Sequence, residues 1–197
     1  ACVFGASDEF LSAGRIDDLE MAHCAVTALT ASCTNDPQPQ ATTRVMAIFD
    51  NEEAGSGTKQ GAASPVLKTI LQRINAALGG HDEAFSFMIS ADNGHATHPN
   101  YESKQDPTNH PVLGGGPVIK INANCKYMTD AESSAVFQAI CHEAGVPVQF
   151  FVNHSDVAGG STLGNILTSQ LDLRGVDMGA PQLAMHSPYE TAGSEDT

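Results

Sequence analysis

Residues 44 to 78 read RVMAIFDNEEAGSGTKQGAASPVLKTILQRINAAL. The run from Arg44 to Asp50 is apolar enough for a buried strand, which the spacing ends at Asp50. From Ser64 to Leu78 the pattern turns helical, with Pro65 near the first turn and Gly79 and Gly80 past the end. Strand followed by helix is the repeating unit of α/β folds. Between the two stand adjacent carboxylates, Glu52 and Glu53, where side chains at a strand end crowd one another.

The same order recurs along the chain. Apolar positions at helical spacing predict a helix from Ile16 to Leu29, closed by the turn-rich TNDPQPQ. AFSFMISAD is expected to be a strand that runs into a long loop, Asn93 to Gly116. PVIKINAN is the next strand, and DAESSAVFQAICHEAG a helix with Asp130 as N-cap and Gly145 at its close. VPVQFFVN, the helix TLGNILTSQLDL and the short strand GVDMG complete the series. Alternation of this kind predicts an α/β fold with helices packed on a mostly parallel central sheet.

The 197 residues suffice for one domain with its own core. Hydrophobic residues make up 41% and charged residues 16%, a globular balance. Twenty-three acidic against nine basic residues give a net charge of -14, which argues against nucleic acid and anionic membranes as partners. No apolar stretch approaches the roughly 20 residues of a spanning helix. The five cysteines are odd in number, lack C-x-x-C spacing and are expected to be reduced, mostly buried thiols of a cytoplasmic protein. The chain begins without Met and ends without a capping helix, so both termini read as cut.

Ligands of open α/β sheets gather beyond the carboxyl ends of the strands. Glu52 and Glu53 follow one strand, Asp92 closes the next, and His186 lies in the loop after GVDMG. If Asp17 joins them, the carboxylates repel one another, and Lys and Arg are too scarce to neutralise them. Divalent cations do so: carboxylate oxygen with imidazole nitrogen suits zinc and also admits manganese or cobalt. Adjacent residues leaving a strand aim apart, so one glutamate can hold a metal while the other holds a water. A carboxylate beside a metal-activated water can take its proton as general base and later pass it to a leaving amine, which describes amide hydrolysis.

Six segments carry a resemblance: GRIDDL (14–19), FDNEEAGSGTKQGA (49–62), SADNGHATHPNY (90–101), GGGPVIKIN (114–122), GGSTLGNI (159–166) and DMGAPQLAMHS (177–187). In order and context they resemble the aspartyl aminopeptidases, cocatalytic zinc exopeptidases that remove acidic N-terminal residues from peptides. The resemblance covers about the latter half of such an enzyme. It implies a zinc exopeptidase-like three-layer sandwich, with residues 1–197 as the C-terminal part of a catalytic domain and the N-terminal segment and dimerisation domain absent. It makes Asp17 the carboxylate bridging two zinc ions, Glu52 the general base, Glu53 and His186 ligands of one ion, and Asp92 a ligand of the other. It further implies that Lys120 and Tyr127 line the substrate pocket, Lys120 suiting an acidic side chain. It also implies that His95, and Gly160 in the AGGSTLG loop, face the substrate. Such enzymes form large homo-oligomers built from dimers.

Two departures matter. The family has a further His ligand upstream of the bridging Asp, and this chain begins after it. The family also usually has Asn where Asp18 adds a further acidic group. One ion is therefore expected to bind more tightly than the second, with the isolated chain weakly active or inactive. None of His23, His81, His98, His110, His142 and His154 is expected to supply the ligand. Two rivals compete. GSGTKQG resembles a phosphate loop but lacks G-x-x-x-x-G-K-[ST] spacing and follows repelling glutamates. The other is a catalytically inactive fragment or shell subunit of such an enzyme.

Overall fold

The computed structural model describes residues 1–35, 42–80 and 86–197. Most of TNDPQPQ, the first two residues of AFSFMISAD and His81 lie outside the described residues. In chain order the elements are β1 (Cys2–Phe4), β2 (Phe10–Ala13), α1 (Ile16–Asn35), α2 (Val66–Ala77), β3 (Phe87–Ala91), β4 (Gly94–His95) and β5 (Val118–Ile121). They continue with α3 (Ala131–Ala144), β6 (Gln149–Val152), α4 (Leu163–Thr168), β7 (Arg174–Gly179), β8 (Pro181–Leu183) and β9 (Glu190–Gly193).

The central sheet runs β3-β7-β5-β6; β3–β7 and β5–β6 are parallel and β5–β7 is antiparallel. The period of two gives its faces different work. Ile119 and Val176 point to one side and pack with Phe137 and Cys141 of α3. Val118 points to the other, against Tyr127 and Phe151. Lys120 shares that second face, opposite Phe151 in register. There α4 approaches β3 and β7, which makes the expected three layers.

Helix α3 forms as its sequence predicts. Asp130 accepts from Ser133 N at 2.7 Å while Ser133 Oγ accepts from Asp130 N at 2.9 Å, a reciprocal cap, and Gly145 closes the helix at φ 69°. Helix α4 is shorter than expected from TLGNILTSQLDL. The hydroxyls of Thr168 and Ser169 bond to the carbonyls of Asn165 and Ile166 and compete with the backbone amides that would continue it.

The strand expected at 44–50 does not form. That segment pairs with none of the described strands, and Val45 and Ile48 are exposed. A cavity of about 1290 Å³, lined by Val45, Ile48, Phe87, Ile89 and the flank of α1, lies beside it. A strand is held by edge hydrogen bonds, and apolar composition without a paired edge leaves the backbone irregular.

A second sheet, β1-β2-β9-β8-β4, was not legible in the pattern: its strands are two to four residues long and carry Ser, Gly, Gln and Pro. It supplies the seam on which the site stands. β3 continues into β4, and β7 into β8, so one parallel pair passes from the first sheet to the second. Asp92 N to Met178 O (2.9 Å), Gly94 N to Ala180 O (2.8 Å) and Ala96 N to Gln182 O (2.8 Å) carry the ladder across the bend. The backbones approach so closely there that a Cβ on Gly179 would lie 1.8 Å from Asp92 O. The loop from Asn93 to Gly116 thus begins as strand β4.

All five cysteines are free, as expected, but only Cys141 is buried; Cys24 is half-buried and Cys2, Cys33 and Cys125 are exposed. No helix among the described residues is long and apolar enough to cross a membrane. Substituting Asp130→Ala is expected to cost about 1 kcal/mol, read as a lower urea midpoint; an unchanged midpoint would contradict the cap.

Candidate metal centre

Four chain segments meet at the seam, three bringing acidic groups and one an imidazole. Asp17 and Asp18 stand at the start of α1, where their φ/ψ values are not helical and the peptide between them is cis. Asp92 sits at the bend after β3, Glu52 and Glu53 in the turn that follows Asp50, and His186 in the β8–β9 connection. The turn is shaped locally: Asn51 adopts φ 65°, Gly55 N bonds to Asn51 O at 2.8 Å and Asp50 N to Gln60 O at 3.2 Å.

His186 Nε2 lies 3.1 Å from Asp17 Oδ2 and 2.8 Å from Glu53 Oε1. Asp17, Glu53 and His186 offer ligand atoms all within 4.8 Å of one another, and so do Asp17, Asp18 and Asp92. Asp17 is common to both groups, the position a bridging carboxylate needs. Its Oδ1 and the Oδ1 of Asp18 are buried without a hydrogen-bond partner. A buried carboxylate oxygen without a donor is costly, and a divalent cation removes that cost, so the donor set fits zinc. None of His23, His98, His110, His142 and His154 joins either group.

The adjacent glutamates divide as their geometry requires. Glu53 turns to His186, while the charge acting most strongly on Glu52 is Asp92. Solvent reaches the Glu52 side chain at the rim, yet lost hydration, then Asp92, Glu53 and Asp17, push its pKa up to about 7. Burial and then Asp92 raise Asp17 to about 6 and Asp18 to about 8.

Lys120 is the only buried cation among the described residues. Its Nζ donates to Asp92 Oδ2 at 2.7 Å and to Asn93 O at 2.9 Å, and it sits 5.8 Å from the Tyr127 ring centroid. The ammonium expected to meet a substrate carboxylate is thus held by Asp92. Tyr127 is buried, its pKa raised to about 12 by burial and then by Asp92 and Asp177. His95 packs 6.3 Å from Phe151, and desolvation followed by the Lys120 charge lowers its pKa. Gly160 stands apart, with nothing within 4 Å of an added Cβ.

Supporting residues escaped the sequence reading. Asp177, fully buried in β7, accepts from Thr162 Oγ1 and Met128 N, both at 2.6 Å, and from Ser90 Oγ. It thereby ties the loops that carry Tyr127 and Gly160 to β3. Asn93 donates to Glu20 Oε2 at 2.8 Å and to Gln182 Oε1 at 3.0 Å beneath Asp92. Glu190 accepts from the amides of both Asp17 and His186. The only signal was a polar residue inside a short strand.

The raised carboxylates fix a sign. They bind protons more tightly folded than unfolded, so their contribution is complete below about pH 4 and is lost as pH rises through their folded values, about 6 to 8. Melting of the metal-free protein is therefore expected to fall in temperature from about pH 5 to about pH 8, with added zinc restoring it at the upper end. A metal-free melting temperature that rises across that window would remove the electrostatic account.

Known proteins share both sequence and fold with this chain. The chain is 50% identical over 200 residues to the probable M18 family aminopeptidase 2 of Clostridium novyi, covering 98% of this chain and 45% of that protein. It is 41% identical over 206 residues to aspartyl aminopeptidase 4 of Saccharomyces cerevisiae, covering 98% and 42%. It thus spans less than half the length of these curated relatives. Among solved structures, the cryo-EM structure of the Ape4 and Nbr1 complex superposes with TM-score 0.94 at 40% identity, covering all of this chain and 38% of that one. The S. cerevisiae mApe1 dodecamer gives 0.84 at 28%, covering 99% and 44%. Residues 1–197 match the aminopeptidase I zinc metalloproteases from end to end, and the chain belongs to that family, M18.

Proposed function

We propose that the protein carrying this chain is a metal-dependent aminopeptidase that releases acidic N-terminal residues, with residues 1–197 the C-terminal part of its catalytic domain. The observation that carries the reading is the meeting of Asp17, Glu53 and His186 beside Asp18 and Asp92 at one seam. In it Glu53 and His186 hold one zinc, Asp92 the other, and Asp17 both; manganese or cobalt fits the same donors. Bound zinc would supply Lewis acidity to the scissile carbonyl and to the attacking water. Glu52, next to a ligand but turned to a different neighbour, takes the proton from water and returns it to the leaving amine. Acidic specificity draws on Lys120 and on likeness to a relative named aspartyl aminopeptidase. Tyr127 and His95 line the same side, with Gly160 on the loop beyond. Likeness to a dodecamer supports homo-oligomeric assembly.

A silent piece of such an enzyme is the second reading, favoured by one observation: the Asp17, Asp18 and Asp92 group contains no imidazole. Assays on peptides with N-terminal Asp and Leu separate the two. The zinc-loaded full-length protein that carries this chain is expected to cleave the Asp peptide, and Glu52→Gln to lower the rate at least about 100-fold while zinc content stays unchanged. No cleavage by zinc-loaded wild type would favour the silent piece. Lys120→Ala is expected to raise KM for the Asp peptide more than for the Leu peptide; equal changes would remove the role of Lys120 in specificity.

A further inference from the structure

Glu190 opens β9 and is 2% exposed. Its carboxylate accepts from two backbone amides far apart in sequence, Oε2 from Asp17 N at 3.0 Å and Oε1 from His186 N at 2.7 Å. The side chains of those two residues meet on the other side, 3.1 Å apart. One buried anion therefore ties both main chains from behind while their ligand atoms face the seam.

Nothing weaker does the same work. His186 adopts φ 67°, a left-handed conformation that a residue with a Cβ keeps only when its surroundings hold it. Register sets Glu190 opposite Ala13, so the carboxylate stands where β2 turns toward Asp17. Burying a negative charge close to Asp17 costs free energy, which charge-assisted bonds to two amides offset in part. A primary amide in its place has a single oxygen, and its NH2 would face the second amide donor.

We propose that Glu190 is a positioning residue that presets Asp17 and His186 for a divalent cation by fixing their main chains. This rests on reading those two residues as ligands. Glu190 itself touches no reacting atom.

The test measures zinc affinity by calorimetry and the visible absorption of the cobalt-loaded protein, for wild type, Glu190→Gln and Ser12→Ala. Ser12 pairs with Thr191 through hydroxyls 2.7 Å apart in the same strand pair but touches neither amide. Glu190→Gln is expected to bind zinc about 10- to 100-fold more weakly, with a changed cobalt spectrum, while Ser12→Ala matches wild type. Wild-type affinity and spectrum in Glu190→Gln would overturn the proposal, as would an equal loss in Ser12→Ala. Should Glu190→Gln fail to fold, Glu190→Asp keeps the charge but is too short for both amides; it too is expected to lose affinity, and wild-type binding there overturns the proposal. A wild-type protein that binds no zinc removes the ligand reading itself, and the proposal with it.

Discussion

Repulsion among Asp17, Asp18, Glu52, Glu53 and Asp92 is the constraint that the rest of this structure has to meet. Among the described residues a single buried cation, Lys120, stands near them, and it bonds to Asp92. The contacts of Lys120 with Asp92 and of His186 with Asp17 and Glu53 therefore do not by themselves assemble the site. The backbone does: two sheets share a seam, and each acid is delivered to it by an element whose own hydrogen bonds lie elsewhere.

The seam exists because the β3–β7 pair does not end with its sheet. Its ladder continues through Asp92 and Ala180 into β4 and β8, and Gly179 permits the close crossing. Asp177 fastens the second face of the central sheet to the loops above it, and Glu190 fastens the second sheet to Asp17 and His186. Structural energy is thus spent on holding like charges together. That is the expected condition of a site whose unpartnered oxygens, those of Asp17 and Asp18, await a cation.

Membership of the M18 family and an acidic seam of this geometry bear on chemistry in different ways. Family membership narrows the reaction class, whereas the seam shows which side chains come together. Glu53 and Glu52 illustrate the difference: adjacent in sequence and identical in type, only Glu53 joins the group formed with Asp17 and His186.

Periodicity made the central sheet legible. Val118, Ile119, Phe151 and Val176 are buried where alternating or continuous apolar runs place them, and the α3 caps at Asp130 and Gly145 are local chemistry that sequence states outright. The meeting of Asp17, Glu53, Asp92 and His186 at one edge was legible too, because their expected places at the ends of strands put them on the same side of the sheet. Pairing was not. RVMAIFD has the composition of a strand and pairs with none of the described strands, while FLSA, PQL and ETAG have weak patterns and pair because partners stand beside them. The double contact of Glu190 was equally invisible. A residue's propensity is a property of its own neighbours along the chain, whereas a hydrogen bond across 173 positions depends on where two distant backbones come to rest.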